Sequence, residues 1–592
     1  MNTSVSKLNK FSRKSTTSLI SDISQVEWIK IERYVEKLQQ RIFNAESQGN
    51  HRKVRELQRL LIRSKSALLL SIKQVTQINK GKRTAGIDGY KALTPKERTE
   101  LYNKMVVQDI SLHNPKPAKR IYIEKKNGKL RPLGIPVIKD RVYQNIVKMA
   151  LEPQWEFRFE PTSYGFRPKR STHDAIEAIF NKLAPKKKQW IFEGDFKGCF
   201  DNLNHDYILE QLGNFPAKDL IVKWLKAGYI DNKVFNVTEQ GTPQGGIISP
   251  LLANIALHGL EEAVGVKYYK CKRKGVEKIE NRGSISVVRY ADDFVIICEK
   301  EEEAKSMYDK LKPYLNKRGL ELADDKTRIV HISEGFDFLG FNVKSYKDHN
   351  KTKLLIKPSK DSIKKFRAKI YDVFEQNKGK NVNSLIYKLN PLIRGTANYW
   401  KSTCSSEIFS SMDSYIFGKI VKLLKRLHPT KSWKWKCERY FKPDKTGQSK
   451  NKWILTDPDK GIQLYQMGWT SIVRHTLIKM NSTPYNVELK EYFHKRNIKE
   501  FNRQNVDIKQ KMAKFQNYKC YLCGNSIVDG REGTEIHHKT PKSKGGSNTL
   551  KNMVLTHISC HTEFHRMYPI QGVIPDIKEI LKYRKTLNNK RV

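Results

Sequence analysis

Two apolar runs, Ile285-Ser286-Val287-Val288 and Phe294-Val295-Ile296-Ile297, flank the tetrapeptide Tyr290-Ala291-Asp292-Asp293. Short apolar runs separated by a polar turn predict a β-hairpin, here with two carboxylates at its tip. A third run, Trp190-Ile191-Phe192, leads into Glu193-Gly194-Asp195 and predicts a strand that also ends on a carboxylate. Residues 119–136 read as strand, Asn127-Gly128 turn and strand. Residues 26–80 carry helical periodicity with dense charge and predict two or three basic helices. The pattern mixes strands and helices over 80–345, with Tyr268 to Arg282 as an inserted loop or hairpin. It turns mostly helical, aromatic and basic over 346–480, charged and polar over 481–510, and ends in a small Cys/His module over 511–592. The fold class that follows is multidomain α+β.

Carboxylates gathered at strand ends repel one another unless a cation lies between them, and an all-oxygen site suits Mg²⁺. Two such ions ~3.5–4 Å apart activate a hydroxyl and stabilise a leaving pyrophosphate. Asp195, Asp292 and Asp293 therefore point to nucleotidyl transfer. The charge agrees: 112 Lys and Arg against 61 Asp and Glu give a formal net charge of +51 over 592 residues. A field spread along the chain in this way favours a polyanionic partner, nucleic acid foremost. An anionic membrane surface is the alternative, but no apolar run reaches the ~18 residues of a bilayer span. Mean hydropathy is -0.64. Five of the eight cysteines are scattered, as in a reducing compartment. Cys520, Cys523 and Cys560 cluster and read as metal ligands. The first 20 residues are rich in Ser, Thr and Lys and hold no acid before Asp22. They lack the apolar core of a secretion signal and read as a disordered basic arm, a transit peptide being the second reading.

Several segments, taken in order, resemble the conserved blocks of reverse transcriptases encoded by mobile group II introns. Lys119 to Pro136 resembles the fingers hairpin, and the resemblance implies that Lys125 and Arg131 grip the incoming triphosphate. Ser163-Tyr164-Gly165-Phe166-Arg167-Pro168 resembles the next block, with Arg167 toward template or nucleotide. Asp195 then corresponds to the first palm ligand. Phe200 corresponds to the residue beneath the sugar, where a large apolar side chain excludes a 2′-hydroxyl. Gly241-Thr242-Pro243-Gln244-Gly245-Gly246 resembles the Pro-Gln-Gly block, implying contact of Gln244 with nucleotide or template. Gly319 to Thr327 resembles the block whose lysine, here Lys326, serves the nucleotide site. Phe338-Leu339-Gly340-Phe341 resembles the turn that bears the primer grip.

Leu392 to Trp400, Trp469 to His475 and Ser482-Thr483-Pro484-Tyr485 resemble the thumb or maturase signature. Aromatics interleaved with cations, as in Trp433-Lys434-Trp435-Lys436, suit stacking on unpaired bases beside phosphates. Tyr399 and Trp400 read as core. At the C-terminus, Cys520-x-x-Cys523 and His557-x-x-Cys560 have the spacing of a four-ligand structural Zn²⁺ site. His557 stands where the family commonly has cysteine. Glu535-Ile536-His537-His538, Asn552, His561 and His565 resemble an HNH nuclease of ββα-metal fold. His561 and His565, spaced i, i+4, share a helix face and with His537 can hold one divalent ion. His538 would activate water, and Asn552 would pin the catalytic loop. Mg²⁺ is the family expectation there, although three imidazoles also hold Zn²⁺.

The resemblance implies a right-hand polymerase. A basic helical extension (1–79) would precede fingers and palm (80–345), a helical thumb or maturase domain (346–480), a DNA-binding segment (481–510) and an HNH module with a zinc knuckle (511–592). It implies a protein that binds its intron RNA and assists splicing. The protein would nick double-stranded target DNA and copy the intron from dNTPs, and a homodimer is left open. The expected location is the cytoplasm or nucleoid of a bacterium, or an organellar matrix. A splicing-only maturase and a defence-associated reverse transcriptase are the competing readings. The intact acids and HNH set stand against the first, and the maturase signature with the HNH module against the second.

Overall fold

The structure is a computed structural model that describes residues 19–124, 128, 130–231, 234–242, 245–273, 276–348, 351–379 and 381–567. The chain forms two compact units, each assembled from non-consecutive segments. One comprises Met1–Phe159, Gly198–Leu257 and Ser482–Val592; the other comprises Glu160–Lys197 and His258–Asn481.

In the first unit, helices Trp28–Ser47, His51–Ile62 and Lys65–Lys73 pack on the long helix Ile138–Arg158. The first helix buries Val35, Leu38 and Ile42, an i, i+3, i+7 stripe, and leaves most of its charges outward. Glu46 of this helix is buried and pairs with Arg158 at 2.6 Å. A four-stranded sheet runs in the order Leu130–Ile135, Ala118–Glu124, Tyr229–Asp231, Val234–Asn236. Its first two strands are the hairpin expected over 119–136, with Ile123 opposite Arg131. The C-terminal module of the same unit is a hairpin, Thr534–His538 with Met553–His557, followed by helix Ile558–Met567. Its core is larger than its Cys/His content suggests. Met512, Leu522, Ile527, Leu555 and Phe564 are joined by Phe501 and Ile498 from the helix Lys490–Gln504.

The second unit is built on an antiparallel sheet ordered Arg328–His331, Trp190–Asp195, Asp293–Cys298, Ser286–Tyr290. Strands Ser286–Tyr290 and Asp293–Cys298 are almost wholly buried on both faces, which is why they read as unbroken apolar runs instead of alternating ones. Helix Thr172–Leu183 packs on the Ser286–Tyr290 strand, and Glu301–Lys305 packs on the two middle strands. Tyr268–Arg273 and Val276–Asn281 pair as the expected inserted hairpin. A three-stranded sheet follows, in which Leu339 and Gly340 both take positive φ (49° and 84°). That is the backbone of a two-residue hairpin turn matched to strand twist. Helices Lys360–Gln376, Val382–Trp400 and Ser406–Leu427 complete the unit. Trp400 is buried as expected. Tyr399 is half-buried; its hydroxyl donates to Leu339 O (2.9 Å) and its ring packs on Phe341.

Candidate active sites

Strand register brings the palm carboxylates together. Asp195 and Asp293 are direct cross-strand partners, and Asp293 also pairs with Tyr290 across the hairpin. Ala291 and Asp292 form the two-residue tip, with Ala291 left-handed at φ 58°. Asp195 and Asp292 are half-buried. Asp293 stands open to solvent on one side. Even so, desolvation by its surroundings and the charges of Asp292 and Asp195 push its pKa up to about 7, with Lys326 opposing. That is the signature of acids that need a cation between them. Lys326 Nζ donates to Asp195 Oδ2 at 2.5 Å, and this hydrogen bond raises the Lys326 pKa. The lysine thus sits on a palm carboxylate, a position the resemblance, which assigns it to the nucleotide, does not specify. The backbone is braced by the same block: Ala323 N donates to Asp195 O and Lys197 N to Glu321 O.

Arg131 lies exposed on its strand. Lys125 and Gln244 lie outside the described residues. Phe200 is half-buried on a short helix, Cys199–Asn202, and Thr242 N donates to Phe200 O at 2.6 Å. The start of the Pro-Gln-Gly block is therefore strapped to the turn that carries Phe200. Gly245 owes its identity to the chain itself: at φ 121°, a Cβ would meet Gly134 O at 2.5 Å. Arg167 is not available to template. It is buried, and its Nη1 donates to Glu160 O (2.7 Å) and Ser163 O (2.9 Å), while Phe166 takes the exposed position.

The C-terminal module holds two clusters. The ligand atoms of Cys520, Cys523, His557 and Cys560 all lie within 4.8 Å of one another. His557 Nδ1 faces Cys523 Sγ at 3.3 Å while its Nε2 donates to Ser526 O at 3.0 Å, which fixes the tautomer that turns Nδ1 toward the thiols. Cys523 and Cys560 hold the Cys520 thiol below the usual range by hydrogen bonding to it. This donor set fits a tetrahedral Zn²⁺.

His537, His561 and His565 form the second cluster, again within 4.8 Å. His537 is 2% exposed, and neither of its ring nitrogens has a hydrogen-bond partner among the described residues. Desolvation and the neighbouring imidazoles push it down to about 4, so it stays neutral at physiological pH. A buried, neutral, unpartnered imidazole is what a metal ligand looks like without its ion. Glu535 adds a feature that motif reading passed over: its carboxylate accepts from His561 Nδ1 at 2.7 Å, leaving His561 Nε2 turned to the cluster. Alternation along the strand could have revealed this, since Glu535 and His537 share a face. His538 points to the other face and pairs through Nε2 with Asn548 Oδ1 at 2.9 Å. Asn552 accepts from Thr540 N and donates to Thr540 O and Ser547 O, closing the loop between the strands.

Residues 123–343 match the family described as reverse transcriptase (RNA-dependent DNA polymerase), and 24–105 its N-terminal domain. Residues 363–441 match the group II intron maturase-specific domain, and 520–566 the HNH endonuclease family. Protein YkfC of Escherichia coli K12 is 33% identical over 313 residues, which span 48% of this chain and 82% of YkfC. Group II intron-encoded protein LtrA of Lactococcus lactis subsp. cremoris is 34% identical over 328 residues, 45% of this chain and 53% of LtrA. The chain thus matches about half the length of LtrA. A telomerase structure from Candida albicans overlaps 53% of this chain and 60% of its own with a TM-score of 0.29 at 13% identity, too distant to carry an argument. No helix among the described residues is long and apolar enough to cross a membrane. The chain belongs to the group II intron-encoded proteins that join a reverse transcriptase and a maturase domain to a C-terminal HNH endonuclease domain.

Proposed function

We propose that the chain carries out target-primed reverse transcription of its own intron RNA. The observation that carries this reading is the register pairing of Asp195 with Asp293 at the Asp292 tip, in a chain that also assembles a complete HNH cluster. Asp195, Asp292 and Asp293 would hold Mg²⁺, which when bound activates the primer 3′-hydroxyl and neutralises the departing pyrophosphate. Lys326 keeps Asp195 in place and shields its charge. Arg131, with Lys125, would draw in the triphosphate. Phe200 would reject a 2′-hydroxyl by clash, and Gln244 would contact nucleotide or template. Arg394, exposed on the maturase helix, and Trp433 and Trp435 offer charge and rings to intron RNA.

In the HNH module, His537, His561 and His565 would hold one divalent ion that stabilises the phosphorane charge and the departing 3′-oxygen. Three imidazole ligands suit Zn²⁺ or a similar borderline cation better than Mg²⁺. His538 donates from Nε2 to Asn548, which leaves Nδ1 as the basic nitrogen for the attacking water. Asn552 holds the loop that presents it. The nicked strand then supplies the 3′-hydroxyl that the polymerase extends.

The test incubates the protein and its intron RNA with labelled dNTPs, divalent metal and a duplex containing the insertion site. Wild type should yield cDNA joined to a nicked strand. Asp292→Ala should nick without extending, and His538→Ala should lose the nick yet extend an annealed primer, each by at least about 10³-fold. A wild type that aids splicing but neither nicks nor extends would replace this reading with an RNA-chaperone role.

A further inference from the structure

Behind the carboxylate tip lies a buried arginine that neither the motif nor the family match assigns a task. Arg289, 1% exposed, is the penultimate residue of the Ser286–Tyr290 strand and the largest fully buried side chain among the described residues. Its Nη1 reaches forward and donates to Ala291 O at 3.1 Å. Ala291 is the residue that must take φ 58°, a conformation L-residues other than glycine avoid because Cβ crowds the carbonyl. The guanidinium therefore grips the one peptide of the tip whose backbone is strained.

The arginine is itself held in two ways. Its backbone is paired to the 162–165 segment, Arg289 N donating to Thr162 O (3.1 Å) and Tyr164 N to Arg289 O (2.9 Å). Its charge faces the buried Glu160, whose carboxyl gains from the arginine part of what desolvation costs it. Glu160 in turn accepts from Glu261 N at 2.8 Å, and so is tied to a second element. On the far side of the turn, Gly165 lies so close that a Cβ there would meet Ala291 N at 2.2 Å. The Tyr290–Asp293 turn is thus clamped between a glycine backbone and a buried cation.

We infer that Arg289 is a positioning residue for polymerisation, holding the carbonyl of Ala291 so that the left-handed turn presents Asp292 and Asp293 in one geometry. This rests on the polymerase reading of the site. Loss of the grip leaves the acids in place but lets the turn relax toward ordinary backbone angles. Chemistry and metal affinity then fall while template binding does not. Because the strain belongs to the Ala291 Cβ, glycine at 291 removes much of the need for the clamp.

The full chain is assayed on an RNA template with an annealed DNA primer, reading kcat, template–primer Kd and the Mg²⁺ concentration for half-maximal rate. Arg289→Met should lower kcat about 100-fold, the scale of a misplaced reacting group, and raise the Mg²⁺ requirement. It should leave the template–primer Kd within about twofold and HNH nicking unchanged. In an Ala291→Gly background the same substitution should cost less than about tenfold. Arg289→Lys, which keeps the charge facing Glu160, should fall between wild type and Arg289→Met. It also serves as the test if the methionine variant does not fold. Equal kcat for Arg289→Lys and wild type, or a loss that is the same with Ala or Gly at 291, overturns the inference. A wild type that makes no cDNA overturns the polymerase reading instead.

Discussion

The palm and the HNH module each converge three titratable side chains, and they manage charge in opposite ways. In the palm, three carboxylates meet at a hairpin tip that stays open to water. Lys326 lies on Asp195, and the Asp293 carboxyl is pushed up to about 7. In the nuclease module, three imidazoles meet around a His537 that is 2% exposed, pushed down to about 4 and without a hydrogen-bond partner among the described residues. Neutral imidazoles can be buried at modest cost; anionic oxygens cannot, so they sit at a solvated strand end beside a cation. The two donor sets consequently suit different kinds of cation. Hard oxygen ligands suit an ion that keeps part of its water and handles triphosphate, whereas borderline nitrogens suit a cation gathered around a buried imidazole.

The contrast breaks most completely at the four-ligand Cys/His cluster, which among the described residues lies in the nuclease module. Stripping its metal with a chelator, or Cys523→Ser, should unfold residues near 520–566 while polymerisation on a primed template continues. Structural zinc sites are worth on the order of 10 kcal/mol of folding free energy. Limited proteolysis with parallel cDNA assays reads this directly. A module that stays protected would show that the core built on Phe501, Leu555 and Phe564 suffices without metal. A smaller effect is expected from Glu535→Gln, which keeps shape but weakens the acceptor for His561 Nδ1. Affinity of the three-histidine site for Co²⁺, followed by its absorption bands, should fall about 10–100-fold, with no change in polymerase rate. Unchanged Co²⁺ binding would reduce Glu535 to a surface contact. The mildest perturbation is pH. A carboxylic acid raised to about 7 is ionised above that value and protonated below it, so protons compete with Mg²⁺ on the acid side only. The Mg²⁺ concentration for half-maximal polymerisation should be level above pH 8 and rise roughly tenfold per unit below pH 7. A requirement that is level from pH 6 to 8 would show that Asp293 is ionised throughout.

Local pattern carried much of this architecture. The apolar runs around Tyr290–Asp293 foretold the hairpin because a buried strand has no polar face to interrupt it. The spacing of Cys520, Cys523, His557 and Cys560 foretold a four-ligand cluster because short loops can close only so far. Arg167 shows where pattern misleads: a cation in a familiar block reads as a ligand contact until burial reveals that its Nη1 is spent on Glu160 O and Ser163 O. Tyr399 errs the other way, an apparent core ring whose hydroxyl holds the Leu339 turn sixty positions earlier.

By itself, then, the sequence singled out residues whose types suit chemistry and the elements that bear them, because candidate metal ligands are recognisable by type and strands and helices by the period of their apolar positions. It also pointed to a polyanionic partner, since net charge is a sum indifferent to fold. Only the tertiary structure decided the pairing of Asp195 with Asp293 and the placement of Lys326 on the first of them. It alone placed Glu535 behind His561 and clamped Ala291 between Arg289 and Gly165. These are contacts between residues far apart in sequence or on facing strands. Register and packing set them, and nothing in the local pattern encodes either until the sheets have closed.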